Sequence, residues 1–429
     1  DRRGLPEVGR KGRATTVAEP AAARLSKGPK TVLITNVTTS LSNGGVVSVR
    51  TEGDVVVEVG QGLAARADEH VIDGGGGLLT ESLVETHAHL DKAYLAELIP
   101  NPTGDLMGAI TAMIANRHVM TVANTVERAE RAVRAMVRNG VTVIRTHADL
   151  TEENGFTSVE ALLEVRRRTA DIVDLQVVAL LGWPVTGPKG ETHRRLAREA
   201  VAMGVDIVGG CPHLDDDAVL ANGALVDLAG ELGVPLDLHA DEHTDAERTT
   251  LADLAEAVMT SGFDRGVTAS HCVSLGMQDV PTQQMTAEKL AAAGIGVVAL
   301  PQTNLFLQGR DMQSAMPRGL TAVKHLRDAG VSVAAGSDNL QDPFNPIGRG
   351  DPLDAAGLMI LAAHLLPDDA LASVTSVARR VVGAPAAGPV VGARADLMVT
   401  PVAGARELVA TCAPRSLVVR RGRVVHGSA

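Results

Sequence analysis

Cysteine is scarce in this chain, and what little there is excludes two kinds of site. Cys211, Cys272 and Cys412 are an odd number, widely separated, with no CxxC or CxH spacing, so neither a disulfide framework nor a thiolate zinc site is indicated. A surplus of positive charge is also missing. Forty basic against 51 acidic residues leave a net charge of −11, which argues against binding by neutralising nucleic-acid phosphates or anionic lipid. No apolar run reaches the roughly twenty residues of a membrane span, and no basic-then-apolar leader ends in a cleavage site. The expectation is a cytoplasmic protein without membrane or nucleic-acid partners. Aromatic residues are few as well, with Trp183 the only tryptophan.

What is present is a large apolar fraction, 45% of 429 residues, enough to bury a sizeable core. Residues 1–30 mix Arg, Lys, Pro, Ala and Gly without apolar period and read as an N-terminal extension. From Thr31 to about Ile72, short alternating runs separated by Asn-Gly, Glu-Gly and Gly-Gln pairs predict antiparallel strands with tight turns. The same texture returns in ADLMVT, LVVRRG and RVVHG near the other end. Residues 31–78 and 385–429 are therefore expected to form one small β-sandwich-like domain from both chain ends. Over residues 79–384, eight apolar runs alternate with amphipathic helices: LLTESLVETHAH, VTVIRTH, LQVVALL, VDIVGGC, VPLDLHA, GVTASH, IGVVAL and VSVAAG. Eight β-then-α units predict a (β/α)8 TIM barrel, with a doubly wound open sheet as the runner-up.

The barrel explains where the histidines fall. His87 and His89, His147, His239 and His271 stand at or near predicted strand ends, and Asp338 has the same relation to the eighth run. Strand C-termini of a barrel open on one face, so these residues converge. In His87-Ala-His89 the two imidazoles leave the strand on the same side. With His239 and Asp338 they make three nitrogens and one carboxylate, a set suited to one divalent ion, Zn2+ or Fe2+. Such an ion makes hydroxide available near neutral pH. Glu242, three residues past His239, is placed as the proton shuttle, with Asp241 beside it as a rival. Asp338 can take the water's proton, and His271 can donate to the oxyanion, hold the hydroxide, or orient another ligand.

These residues resemble the amidohydrolase superfamily, and within it the cytosine deaminase-like branch, through VETHAHLDK, RTHADL, DLQVVAL, VGGCPH, DLHADEH, VTASHC, LQGR and GSDNLQDPFNPIG. The resemblance runs from about Val32 to Val425. It implies that His87, His89, His239 and Asp338 bind the metal, that Glu242 and His271 are catalytic, and that a homo-oligomer follows from family habit. Certain positions depart from the pattern. The glutamine that reads the pyrimidine edge in cytosine deaminases is replaced by the stretch Leu180 to Pro184, an acidic pair by Asp338-Asn339, and a loop tryptophan by Phe344. HLDK and SDN are also similar to N-isopropylammelide isopropylaminohydrolases.

The remaining candidates stay open between substrate contact and structure. His147 and His213 contact substrate or pack. Trp183 stacks on a flat ring or covers core. Gln302, Asn304 and Gln308 offer amides to a heterocycle edge or make loop hydrogen bonds; Asn339 and Phe344 are placed at the same pocket. Lys92 follows the first strand rather than ending the fourth, so a carboxylated bridging lysine and a second metal are not expected. The expected function is hydrolytic deamination of a small amino-substituted nitrogen heterocycle of the pyrimidine or triazine class. Hydrolysis of an N-alkylamino substituent or cyclic amide is the alternative, and a non-catalytic ligand-binding barrel the third reading.

Overall fold

The computed structural model describes residues 31–427 except 41 and 43; the extension expected over residues 1–30 lies outside them. Strands β6 (Leu83–Ala88), β7 (Val141–Leu150), β8 (Asp174–Leu181), β9 (Ile207–Gly210), β10 (Leu236–Ala240), β11 (Val267–His271), β12 (Gly296–Ala299) and β13 (Val333–Ala335) form one parallel sheet in sequence order. They are preceded by β1 (Thr31–Val37), β2 (Val47–Glu52), β3 (Val55–Gly60), β4 (His70–Asp73) and β5 (Leu78–Glu81), and followed by β14 (Leu397–Thr400), β15 (Leu417–Arg420) and β16 (Arg423–Gly427). The barrel strands are buried on both faces, as their Val, Ile and Leu runs require.

Helices cover every crossover: α1 (Leu106–Ala115) and α2 (Val122–Arg138), α3 (Thr157–Thr169), α4 (Glu191–Met203), α5 (Ala218–Leu232), α6 (Leu251–Ser261), α7 (Val280–Ala292), then α8 (Pro301–Leu307) and α9 (Val323–Asp328). The α2 helix starts at a Thr121/Asn124 capping box and buries Val126, Ala129, Val133, Met136 and Val137, one face at helical spacing. The α4 and α5 helices stop at Gly204 and Gly233, both left-handed. The barrel is the expected one, and the open sheet is set aside because β13 returns to β6. Asp338, just past β13, donates its amide to the His87 carbonyl at 2.9 Å, and the His89 amide donates to the Asp338 carbonyl at 3.2 Å.

Two four-stranded sheets, β3-β2-β1-β4 and β16-β15-β14-β5, come from the two chain ends. They share a core of Val32, Ile34, Val49, Ile72, Leu79, Leu397, Val399 and Val419. Two details differ from expectation. The β4 strand pairs with β1 in parallel rather than antiparallel fashion. The LLTE stretch, read as the start of the first barrel strand, is β5, which crosses the boundary expected at 78 and pairs with β14. The chain changes sheets at Ser82, whose amide donates to the Asp396 carbonyl. Buried Arg379 ties the two units together, donating to Asp396 Oδ2 at 3.2 Å and to Ser82 Oγ at 2.7 Å. Among the described residues no helix is long and apolar enough to cross a membrane.

Candidate active site

At the barrel seam, His87 and His89 leave β6 toward Asp338. His89 Nε2 lies 3.4 Å from His87 Nε2, 3.1 Å from His239 Nε2 and 3.4 Å from Asp338 Oδ1. His87 Nε2 is 3.7 Å from the same carboxylate oxygen. The His87 ring is held from behind. Its Nδ1 is 2.9 Å from Ser270 Oγ, which donates to Asp237 Oδ1 at 3.3 Å, and Asp237 Oδ2 accepts from Arg145 at 2.7 Å. With Nδ1 donating to the serine oxygen, Nε2 keeps its lone pair toward the cluster. Burial first, and neighbouring groups second, push His87, His89 and His239 well below the usual imidazole range, so all three are neutral. Burial pushes Asp338 well up, and both its carboxylate oxygens are buried without a hydrogen-bond donor. A buried carboxylate with no hydrogen-bond donor lies within 4 Å of His87 and His89 Nε2, and His239 brings a third neutral nitrogen beside His89, a donor set that fits a divalent cation.

The β10 strand ends at Ala240, and Asp241 turns the chain at φ 45°. Asp241 is taken up by the loop: its carboxylate accepts from the Thr250 amide at 2.8 Å, the Thr250 hydroxyl at 2.8 Å and the Leu251 amide at 3.2 Å. Glu242 instead faces the cavity, where burial pushes its carboxyl up to about 8. Its Oε1 is 3.5 Å from His271 Nδ1. His271 ends β11, and burial pushes it down to about 4. Its Nδ1 donates to Asn304 Oδ1 at 3.0 Å, so Nε2, which has no protein partner, is an acceptor.

The cavity above these groups has a volume of about 680 Å³ and is lined by His89, His239, Glu242, His271, Asp338 and Asn339, with Trp183 and Phe344 farther out. His87 lies beneath it. His213 and Gln302 do not line it. His213 Nδ1 donates to the His239 carbonyl at 3.0 Å and so supports β10 from outside, while Gln302 follows the first residue of α8. His147 does not line it either: β7 continues for three residues past it, so its ring packs under His87 with centroids 4.0 Å apart. Those residues bring Asp149, on the same strand face, to the lip. Asp149 and Lys92 were not singled out as binding groups from sequence. Lys92 Nζ is 2.6 Å from Asp149 Oδ1 and 3.1 Å from His89 Nδ1. Burial alone pushes that ammonium down, but Asp149 and Asp91 outweigh it and raise it. Their only sequence signal was membership of HLDK and RTHADL.

The Amidohydrolase family matches residues 107–426. A pterin deaminase of Rhizobium rhizogenes is 34% identical, covering 82% of this chain and 81% of its own. Among solved structures, 5-methylcytosine deaminase from Klebsiella pneumoniae, liganded with 5-fluorocytosine, superposes with a TM-score of 0.85 at 30% identity, over 92% of this chain and 98% of that one. N-isopropylammelide isopropylaminohydrolase from Burkholderia multivorans gives 0.80 at 29% identity, over 92% and 98%. The chain belongs to the amidohydrolase family, whose superfamily is metal-dependent. It is a hydrolase acting on carbon–nitrogen bonds of the non-peptide kind, and its relatives are named for small heterocyclic substrates.

Proposed function

We propose that the protein is a hydrolytic deaminase of a small amino-substituted nitrogen heterocycle. The observation that carries the reading is the meeting of Glu242 and His271 with His89, His239 and Asp338 on the floor of one cavity, with His87 directly beneath. The four last-named residues would hold a single divalent ion, Zn2+ or Fe2+. When bound, such an ion supplies Lewis acidity and lowers the pKa of water.

In the overall change one water adds across the carbon bearing the amine, the exocyclic carbon–nitrogen bond breaks, and ammonia leaves as the carbonyl forms. Glu242 carries a proton to the ring nitrogen beside that carbon and recovers one from the attacking water. His271, neutral and with Nε2 as acceptor, orients that water rather than donating to an oxyanion. The Asp338 carboxylate accepts its proton and passes it to the leaving amine. Trp183, Asn339 and Phe344 bound the ring, while His147 packs under His87 and His213 supports β10 at the His239 carbonyl.

Elemental analysis followed by an ammonia-release screen over aminopyrimidines, aminotriazines and aminopurines tests the reading. About one equivalent of Zn or Fe with ammonia from one ring class supports it. A second reading rests on the Lys92–Asp149 pair at the lip together with the likeness to the isopropylaminohydrolase. Alkylamine release without ammonia would favour it and overturn the first.

A further inference from the structure

The α1 helix has the sequence LMGAITAMIA, with no charged residue in its ten positions. Leu106, Ile110, Met113 and Ile114 recur at i, i+4, i+7 and i+8, the spacing of a single helix face. In a helix that covers a barrel, such a face belongs against the core. Here it does not reach it. Only Ala109 and Met113 are buried, and Met113 joins a separate small cluster with Leu95, Ile99 and Met120. The face turns instead onto the active-site cavity, which all four residues line. Trp183, which is 40% exposed, lines the same cavity, and so does Phe344, which packs against the Met113 cluster. The chain has only six aromatic residues, and two of them border this one space.

The cavity is thus polar at its floor, where Glu242, His271 and Asp338 converge, and leads into an outer arm whose lining combines the apolar α1 face, Trp183 and Phe344 with Arg117, Glu152, Glu153 and Lys189. Its 680 Å³ lies in the middle of the range of roughly 300–1,000 Å³ that encloses ligands of drug size, far more room than one six-membered ring fills. Apart from Met113 this apolar helix face is only partly covered by protein, with Leu106 and Ile110 half-buried and Ile114 exposed, and such a face turned into a catalytic cavity is matched by apolar surface on the substrate.

We infer that the substrate is an amino-heterocycle carrying an apolar extension, an aryl or alkyl group on the edge away from the amine, which lies between α1 and Trp183. This rests on the deaminase reading. The arm determines which heterocycle is accepted, and the floor determines what is done to it.

The test uses the metal-loaded protein with cytosine and pterin, each as the parent and carrying a phenyl or butyl group on a ring carbon. At least one substituted compound is expected to exceed its parent in kcat/KM by roughly tenfold or more. Ile110→Asn, at a partly exposed position where folding is not at stake, is expected to bring that ratio back toward one. Because Trp183 is the only tryptophan, its emission reports occupancy of the arm directly. In the Glu242→Gln variant, which leaves the compounds intact, the substituted compound should quench or shift it at lower concentration than the parent. Parents equal to or better than every substituted compound, in both turnover and emission, would overturn the inference while leaving deamination standing. Ammonia from none of them, nor from any aminotriazine or aminopurine, would instead sink the deaminase reading, and the Trp183 titration would still decide the arm.

Discussion

The amide of Asp338 donates to the carbonyl of His87 at 2.9 Å, so a hydrogen bond across the seam of the barrel joins two of the proposed ligands. Barrel closure and the donor cluster are therefore one local structure. An ion bound by the proposed ligands would hold the first and last strands together as well as serving chemistry.

Chelation is therefore expected to lower thermal stability. A site filled at a hundredfold excess over its dissociation constant contributes about 2.7 kcal/mol. Removing the ion should lower Tm by several degrees in a calorimetric scan, with recovery when Zn2+ or Fe2+ is restored. An unchanged Tm after complete metal removal would contradict the coupling.

Substituting His239→Ala should weaken metal affinity by at least about tenfold and abolish turnover, read by elemental analysis of protein dialysed at defined free metal. Full metal content would remove His239 from the ligand set.

Glu242→Gln should keep the metal and lower kcat by roughly 100- to 10,000-fold, the contribution of a positioned acid–base group. Asp241→Asn should act differently. Because Asp241 binds the start of α6, its loss should appear mainly as lower stability in urea.

Asn304→Leu removes the acceptor of the His271 Nδ1 proton and frees the other tautomer. We expect kcat to fall about 10- to 100-fold with KM little changed, and Asn304→Asp to restore part of it with an altered pH profile. Equal losses in both variants would point to packing alone.

In the small domain, Glu69 is held below the usual carboxylate range, first by its hydrogen bond to Arg50 and against its burial. Since the folded value lies below the unfolded one, its stabilisation is present above about pH 4.3 and is lost as pH falls through the folded value. Glu69→Gln should therefore cost about 2 kcal/mol at pH 7 and progressively less below pH 4, measured by urea unfolding.

Much of this was legible from periodicity and spacing. Eight apolar runs predict eight parallel strands because both faces of each strand are buried, and the strand-end histidines follow from where a barrel opens. What escaped depended on exact strand length or on tertiary choice. His147 looked like a strand end, but β7 runs on to Leu150 and brings Asp149 to the lip instead. Spacing alone left Asp241 as a rival to Glu242, which the resemblance favoured, and the turn at Asp241 commits that carboxylate to the loop. Asn304 was left open between an amide for substrate and a loop hydrogen bond, and its distance to His271 depends on how α8 leaves β12. The α1 stripe carries the period of a core-facing helix, so nothing in its sequence says that it faces a cavity.

Leu95, Ile99, Met113 and Met120 pack as a cluster of their own, apart from the barrel interior. Two of its members, Met113 and Met120, line the active-site cavity, and Phe344 packs against it. Substitutions in this small patch would reshape the cavity wall from outside the barrel core, and a lineage carrying this chain could meet new substrates first through it.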